Sequence, residues 1–451
     1  MNSQSRYFCT FSCFLFILVF IQIPETNAQT ELSGFVRNYN AVQTVPDHNI
    51  LVGRNRIRLD LNRPLSSGQV SISGELQNLY SQGLDSLQYR LREAYVNLYF
   101  NKSDLRIGRQ IISWGRTDGA FITDVLSPVD LSEFLTQDFP DIRSGIDAIS
   151  YIRYWGSDYL QLVVNPVFNP NITPEPGSRW FPRTFFGGNV PLQFNDFDPQ
   201  PTIKNIQIGS RLALRSNLNY DLDLGLLYWH YPNPSYAKNF ITNSQGEGIL
   251  QLTESATQSI VLLYSGTVQL TRRLLFKSEA SYYTNRSFDY LTDELRSINY
   301  SNPTPAEQAR LAQIFNNNTD GFLKERPWLI GMAGLEYDLQ GWTVGAQFID
   351  EFIINHDEQI LQEEHYAYAT LLLQHSFLRN KLDFRGFGRY NISGQDFWLN
   401  PELTYSGIDN FEASLGTQLF GGAETDQFYG HLSFDNYSQN SFAYLQVTAY
   451  F

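Results

Sequence analysis

The chain has 451 residues, 42% of them hydrophobic and 15% aromatic, and a formal net charge of -14. Such an acid excess disfavours nucleic acid as a partner, and no run of about 18 apolar residues follows the amino-terminal segment, which excludes a later transmembrane helix. The only two cysteines, Cys9 and Cys13, lie inside that first segment, so no disulfide framework and no cysteine metal site is expected beyond it.

At the amino terminus Arg6 precedes an apolar run from Phe8 to Ile23, followed by Pro24, Glu25 and Thr26 and the small residues Asn27 and Ala28. This pattern predicts a secretory signal peptide over residues 1–28, cut after Ala28, with 29–451 as the mature domain. A membrane anchor is the competing reading, but the run is about 16 residues and a spanning helix needs about 20. No apolar stretch precedes Cys13, which disfavours a lipoprotein.

From about residue 31 the dominant period is two, in segments of about ten residues, the length of a tilted membrane-spanning strand. Arg54, Arg56 and Arg58 alternate with Ile57, Leu59 and Leu61 and share one face. An arginine facing lipid near the midplane costs about 2–4 kcal/mol, so this face is assigned to a lumen. Val70, Ile72, Gly74 and Leu76 alternate with Ser71, Ser73, Glu75 and Gln77. Arg90 and Arg92 share a face with Ala94, Val96, Leu98 and Phe100. They are read either as contacts to lipopolysaccharide headgroups at the rim or as inward residues turned by a bulge.

Next come Gly108, Arg109 and Gln110, then Trp114 and Gly115, then Ser127, Pro128, Val129 and Asp130. Over roughly residues 34–155 the chain resembles porin-like outer-membrane barrels of unassigned substrate, distantly similar to alginate-export barrels. The resemblance implies transport without chemistry and without a cofactor. On the same stretch Arg106 falls on the lumen face, whereas strict alternation sends Arg109 outward beside Ile107 unless a bulge at Gly108 turns it in.

Residues 115–143 carry Asp118, Asp124, Asp130, Glu133, Asp138 and Asp141, stiffened by Pro128 and Pro140. Phe121, Ile122, Val125, Leu126, Val129, Leu131, Phe134 and Leu135 make this stretch too apolar to stay exposed. We therefore expect a constriction loop folded into the lumen, its acids opposing a basic wall of Arg54, Arg56, Arg58 and Arg106 and giving a mild anion preference. The alternative is an external loop with solvated acids.

Further along, Arg211 and Arg215 fall inward, and Tyr220 to Tyr228 places Leu222, Leu224 and Leu226 opposite Asp221 and Asp223. Thr304, Pro305 and Glu307 predict a short capped helix in a long loop. His356-Asp357 and His375-Ser376 are the only candidates for a hydrolase, a weak reading because neighbours on a strand face opposite ways. Arg385 and Arg389 fall inward, and Phe428 to Phe434 alternates as another strand. Ala443, Leu445, Val447, Ala449 and Phe451 share the outer face of a last strand, and its terminal Phe451 resembles the signal read by the barrel-assembly machinery.

Connections alternate between short turns, at 64–68, 101–104, 155–158, 216–219, 338–341 and 378–381, and long loops, at about 113–143, 168–203, 231–257, 285–326 and 352–364. Together these features predict an all-β fold, a transmembrane antiparallel β-barrel with long extracellular loops in a Gram-negative-type outer membrane. About 19 segments are counted, but an even number is required, so about 18 strands are expected, with 16 as the alternative and an error expected after residue 380. The expected role is a porin for small polar or anionic solutes, with outer-membrane lipid and lipopolysaccharide as surroundings. No metal, cofactor or catalytic residue is expected. Polymer export or adhesion is the alternative function.

Overall fold

The computed structural model describes residues 30–46, 48–80, 86–137, 139–175, 178–181, 192–195, 197, 202–215, 220–232, 236–242, 248–298, 304–318, 320–423 and 433–451. The signal segment and its cut after Ala28, the turn at 216–219, Asp138 as a loop acid and most of the Phe428 to Phe434 segment lie outside them.

In chain order the strands are Glu31–Gln43 (β1), Ile50–Leu65 (β2), Gly68–Leu79 (β3), Ser86–Phe100 (β4), Ser103–Gln110 (β5), Ile146–Trp155 (β6), Asp158–Asn165 (β7), Leu192–Asn195 (β8), Gln207–Arg215 (β9), Tyr220–Pro232 (β10), Ala237–Thr242 (β11), Gly248–Thr253 (β12), Ala256–Thr271 (β13), Leu274–Asp289 (β14), Leu323–Leu339 (β15), Trp342–Ile353 (β16), His365–Phe377 (β17), Leu382–Asn391 (β18), Asp396–Ile408 (β19), Phe411–Gly422 (β20) and Phe442–Tyr450 (β21). All except β8, β11 and β12 form one 18-stranded antiparallel sheet. Pairing of β1 with β21, Phe35 opposite Tyr450, closes it into a barrel. Closure leaves no strand edge unpaired, the condition for a sheet to sit in a medium that cannot hydrogen-bond.

Side-chain alternation gives the barrel two chemically distinct faces. The outer face exposes Leu59, Leu226, Leu262, Phe348, Leu371, Leu399 and Leu445. A belt of this extent would aggregate in water and matches hydrocarbon. Phe100, Trp155, Tyr220, Tyr337, Phe377, Tyr405 and Phe451 are exposed toward the short-turn end, and Tyr89, Tyr228 and Tyr390 toward the long-loop end. Rings with an apolar body and a polar tip suit these interfaces.

The barrel closes on 18 strands without the stretch ending at Phe434, which accounts for the surplus segment expected after residue 380. Phe434 itself is buried among Trp398, Phe420 and Tyr437 and opens a 3-10 turn, Asp435–Asn440. Over the long-loop end, β8, β11 and β12 make a small separate sheet. Leu250 and Leu252 of that sheet pack with Leu311 and Phe315 of helix Pro305–Asn317. The capping box at Thr304 and Glu307 is formed, so this helix stands where local chemistry predicts it.

Candidate functional site

The lumen is crossed by the segment between β5 and β6. Its Trp114, Ile122 and Leu126 are at most 3% exposed and pack on inward residues of the wall, including Ile146, Val163, Leu227 and Ile349. Farther along, Phe134 stacks on Tyr437 at 4.0 Å and on Trp180 at 5.9 Å, within a second cluster that includes Phe420 and Tyr444. Each fully buried side chain of this size contributes about 1.5–3 kcal/mol. The apolar residues therefore hold the segment inside the barrel.

Charge fixes its position. Inward positions of β1 to β4 present Arg37, Arg54, Arg56, Arg58, Arg90 and Arg92. Asp141 sits among them and accepts from Arg37 at 2.9 Å, Arg56 at 2.9 Å and Arg58 at 2.7 Å. Arg54 donates to Glu133 at 2.9 Å and to the Thr136 carbonyl at 3.3 Å. Arg90 meets Asp130 at 3.1 Å, and Arg92 donates to the Asp141 carbonyl at 2.9 Å. Glu75 of β3 pairs with Arg58 and lies 3.6 Å from Arg92. Burial alone would raise the Asp141 carboxyl, but Arg58, Arg56 and Arg37 hold it well below the usual carboxylate range.

The segment is also tied across the lumen. Arg116 pairs with Asp223 at 2.8 Å and Asp221 at 3.3 Å on β10. Thr123 donates to Glu279 of β14 at 2.9 Å. Asp118 accepts from Gln347 at 3.0 Å and lies 3.9 Å from Lys277.

These contacts revise several expectations. Arg54 and Arg56 are 4% and 3% exposed and touch the loop carboxylates directly, so they do not face them across an open gap. Asp124 does not oppose the basic wall either, because it pairs with Arg143 of the same segment and accepts from the Trp114 amide. Arg90 and Arg92 point into the lumen, which overturns their assignment to lipopolysaccharide. The β3–β4 register passes from Ser73 opposite Glu93 to Gly74 opposite Leu91, leaving Arg92 as the extra residue of a bulge. Arg109 stays outward, since the β5 register runs through Gly108 without a shift, and Asp147 neutralises it at 2.6 Å. Gly108 is needed there for another reason. Its φ is +127°, and a Cβ would stand 2.3 Å from the Ala94 carbonyl oxygen.

The remaining predicted arginines divide into two groups. Arg211 and Arg215 share Asp223, at 2.9 and 2.8 Å. Arg106, Arg385 and Arg389 have no carboxylate partner among the described residues. They lie over rings instead: Arg106 over Tyr95 at 4.3 Å, Arg385 over Phe387 at 5.6 Å and Arg389 over Tyr368 at 3.7 Å. Arg286, which sequence reading passed over, joins them at 3.7 Å over Trp328. Arg37, Arg116 and Arg143 were also missed. Alternation with the outward Leu32 and Val36 would have assigned Arg37 to the lumen beside Phe35 and Tyr39, but no period marks the other two.

The motif residues cluster at the loop's root. Gln110 is buried and donates to the Ala148 carbonyl at 2.9 Å, and Ser127 accepts from the Ile112 amide at 2.8 Å. The Pro128 carbonyl accepts from the Ser144 amide at 2.8 Å, closing the loop's neck. A Cβ on Gly115 would stand 2.8 Å from the Asp124 side chain, so close packing requires glycine there. Phe451 exchanges backbone hydrogen bonds with Gly34 at 3.0 and 3.1 Å, at the seam of the barrel.

The hydrolase candidates are placed apart. Asp357 pairs with Lys324 and Arg326, while His356 lies 2.8 Å from the Gln362 carbonyl. His375 stacks on Trp342 on the outer face, and Ser376 donates to Asp383 on the inner.

No protein-family model and no curated protein matches the chain. Solved structures do. It is similar to Acinetobacter baumannii OccAB2, at 8% identity and a TM-score of 0.52, over 94% of this chain and 98% of that one. It is similar to OccAB3 of the same organism, at 10% identity and 0.51, over 94% and 99%. The outer membrane protein opdK from Pseudomonas aeruginosa gives 9% identity and 0.50, over 94% and 99%. At these identities the likeness establishes the barrel architecture.

Proposed function

We propose that this chain is an outer-membrane porin that passes small polar or anionic solutes. One observation carries the reading: a closed barrel with an apolar exterior holds, inside its lumen, a segment clamped to both walls by ion pairs. A fixed internal segment narrows a pore without plugging it by a separate domain, which is how a diffusion channel sets its size limit. Residues 115–143 are its constriction. The guanidiniums of Arg385 and Arg389, which donate to the neutral Asn400 and Asn391 and meet no carboxylate among the described residues, replace Arg54, Arg56 and Arg58 as the groups a passing anion meets. Secretion by a signal peptide over 1–28, and insertion by the assembly machinery through the strand ending in Phe451, belong to the same reading. So do a lipid belt and a lipopolysaccharide rim, the latter served by residues other than Arg90 and Arg92.

Liposomes containing the purified protein should swell in small sugars and stop swelling as the sugar grows. Absence of both swelling and planar-bilayer conductance would overturn the reading. Polymer export or adhesion is the second reading, favoured by the small sheet and helix over the long-loop end and, for export, by the motif's resemblance to alginate-export barrels. The separated His, Asp and Ser contacts support a channel over an outer-membrane hydrolase.

A further inference from the structure

Between the short-turn end and the constriction segment, the inner faces of β4 to β7 line a half-open cavity of about 220 Å³, bounded on one side by Ile111 to Trp114. At about 30 Å³ per water this holds roughly seven waters. That is below the roughly 300 Å³ of drug-sized pockets, and suits one solute the size of an amino acid or a monosaccharide.

Its charges are arranged differently from those of the clamp. Arg106 lines the cavity, lies over Tyr95 and has no carboxylate partner among the described residues. Asp104 lines it too, and accepts from the Tyr154 hydroxyl at 2.9 Å through one oxygen, leaving the other without a partner among the described residues. The two sit two residues apart on one strand face, about 6.6 Å along the strand, and form no ion pair. Arg54, Arg56, Arg58, Arg211 and Arg215 each have a carboxylate in contact. A separated cation and anion in one small cavity, with Asn97 beside them, match a ligand that carries both signs.

We propose that this cavity is a retention subsite for a zwitterionic solute of amino-acid size, whose carboxylate meets Arg106 and whose ammonium meets Asp104. The inference rests on the channel reading and names a solute class for it. The net charge of the pair is zero, so a simple anion gains from Arg106 what it loses to Asp104, and a neutral polyol uses neither charge fully.

L-serine is the probe. In planar bilayers the wild-type channel should show current interruptions whose frequency rises with L-serine concentration, at least tenfold more often than with equal glycerol or acetate. Arg106→Gln and Asp104→Asn should each cut that frequency about tenfold. Ser150→Leu, which fills the cavity from the strand position opposite Arg106 while keeping both charged side chains, should do the same and serves if a charge variant fails to assemble. Because Trp114 bounds the cavity, the fluorescence difference between wild type and Trp114→Phe should change saturably with L-serine in detergent, and remain flat in Arg106→Gln. That titration judges the cavity even if the barrel proves not to conduct. Equal interruption by glycerol or by acetate, L-serine events untouched by all three substitutions, or a flat wild-type titration would overturn the proposal.

Discussion

Asp141→Asn is the most informative single change to the clamp. It keeps the side chain's size and removes the charge shared by Arg37, Arg56 and Arg58, at 2.9, 2.9 and 2.7 Å. The carboxylate is 8% exposed, and the three guanidiniums are 14%, 4% and 18% exposed, so water screens little of the interaction. Removing one partner of a buried pair costs about 3–5 kcal/mol, because the charge left behind is uncompensated. At about 1.4 kcal/mol per decade, the clamped state loses roughly two to three and a half decades of occupancy. The expected result is higher and noisier single-channel conductance, with trypsin gaining access to Arg116 and Arg143 on the released segment. Glu133→Gln should do less, since Arg54 retains the Thr136 carbonyl. The pH dependence follows from the sign of the Asp141 shift. Its carboxyl is depressed in the clamped state, so the stabilisation is present above the free aspartate value of about 3.9 and is lost only as pH falls below it. Conductance should therefore stay flat between about pH 7 and pH 5 as far as this clamp is concerned. An Asp141→Asn channel with wild-type conductance and trypsin resistance would refute the reasoning.

Replacing Arg385 and Arg389 by Gln should shift the reversal potential toward cations. A unit charge about 4 Å from a passing ion in water is worth about 1 kcal/mol, so a permeability ratio change of about fivefold is expected, and an unchanged potential would remove these residues from the ion path. Deleting Phe451 removes the backbone pair with Gly34, and pulse-chase recovery of the heat-modifiable form should slow; recovery at the normal rate would count against its role at the seam. Leu226→Arg puts a charge on the outer belt at a cost of about 2–4 kcal/mol, read as a lower urea midpoint in lipid vesicles, where an unshifted midpoint would place Leu226 outside the hydrocarbon zone. Intact mass of the native protein should begin at Gln29, and retention of Cys9 and Cys13 would sink the signal-peptide assignment.

The barrel was legible because one physical requirement repeats along the chain: outward positions must suit hydrocarbon and inward positions need not. That requirement assigns Arg54, Arg211 and Arg385 inward without any knowledge of their partners. It fails where the phase changes. Arg92 is an extra residue in its ladder, and the bulge turns Arg90 and Arg92 in while Ala94 and Val96 remain out, a shift no count of alternating residues reveals. The segment after Phe428 alternates too, yet its described end, Phe434, is buried inside against Phe420 and Trp398.

The clamp was legible only as an inventory. Acids on one stretch and arginines on another announce that charge must be compensated, but the pairings join residues far apart in sequence, such as Arg56 with Asp141. Which acid meets which arginine depends on the path of the loop, and Asp124 shows this, because it turns back to Arg143 within its own segment. Composition therefore overstates the basic wall: five of the eight predicted pore arginines are neutralised in place. Arg385 and Arg389 keep their charge because the side chains that accept from them, Asn400 at 3.3 Å and Asn391 at 2.8 Å, are neutral, and because Phe387 and Tyr368 lie against the guanidiniums.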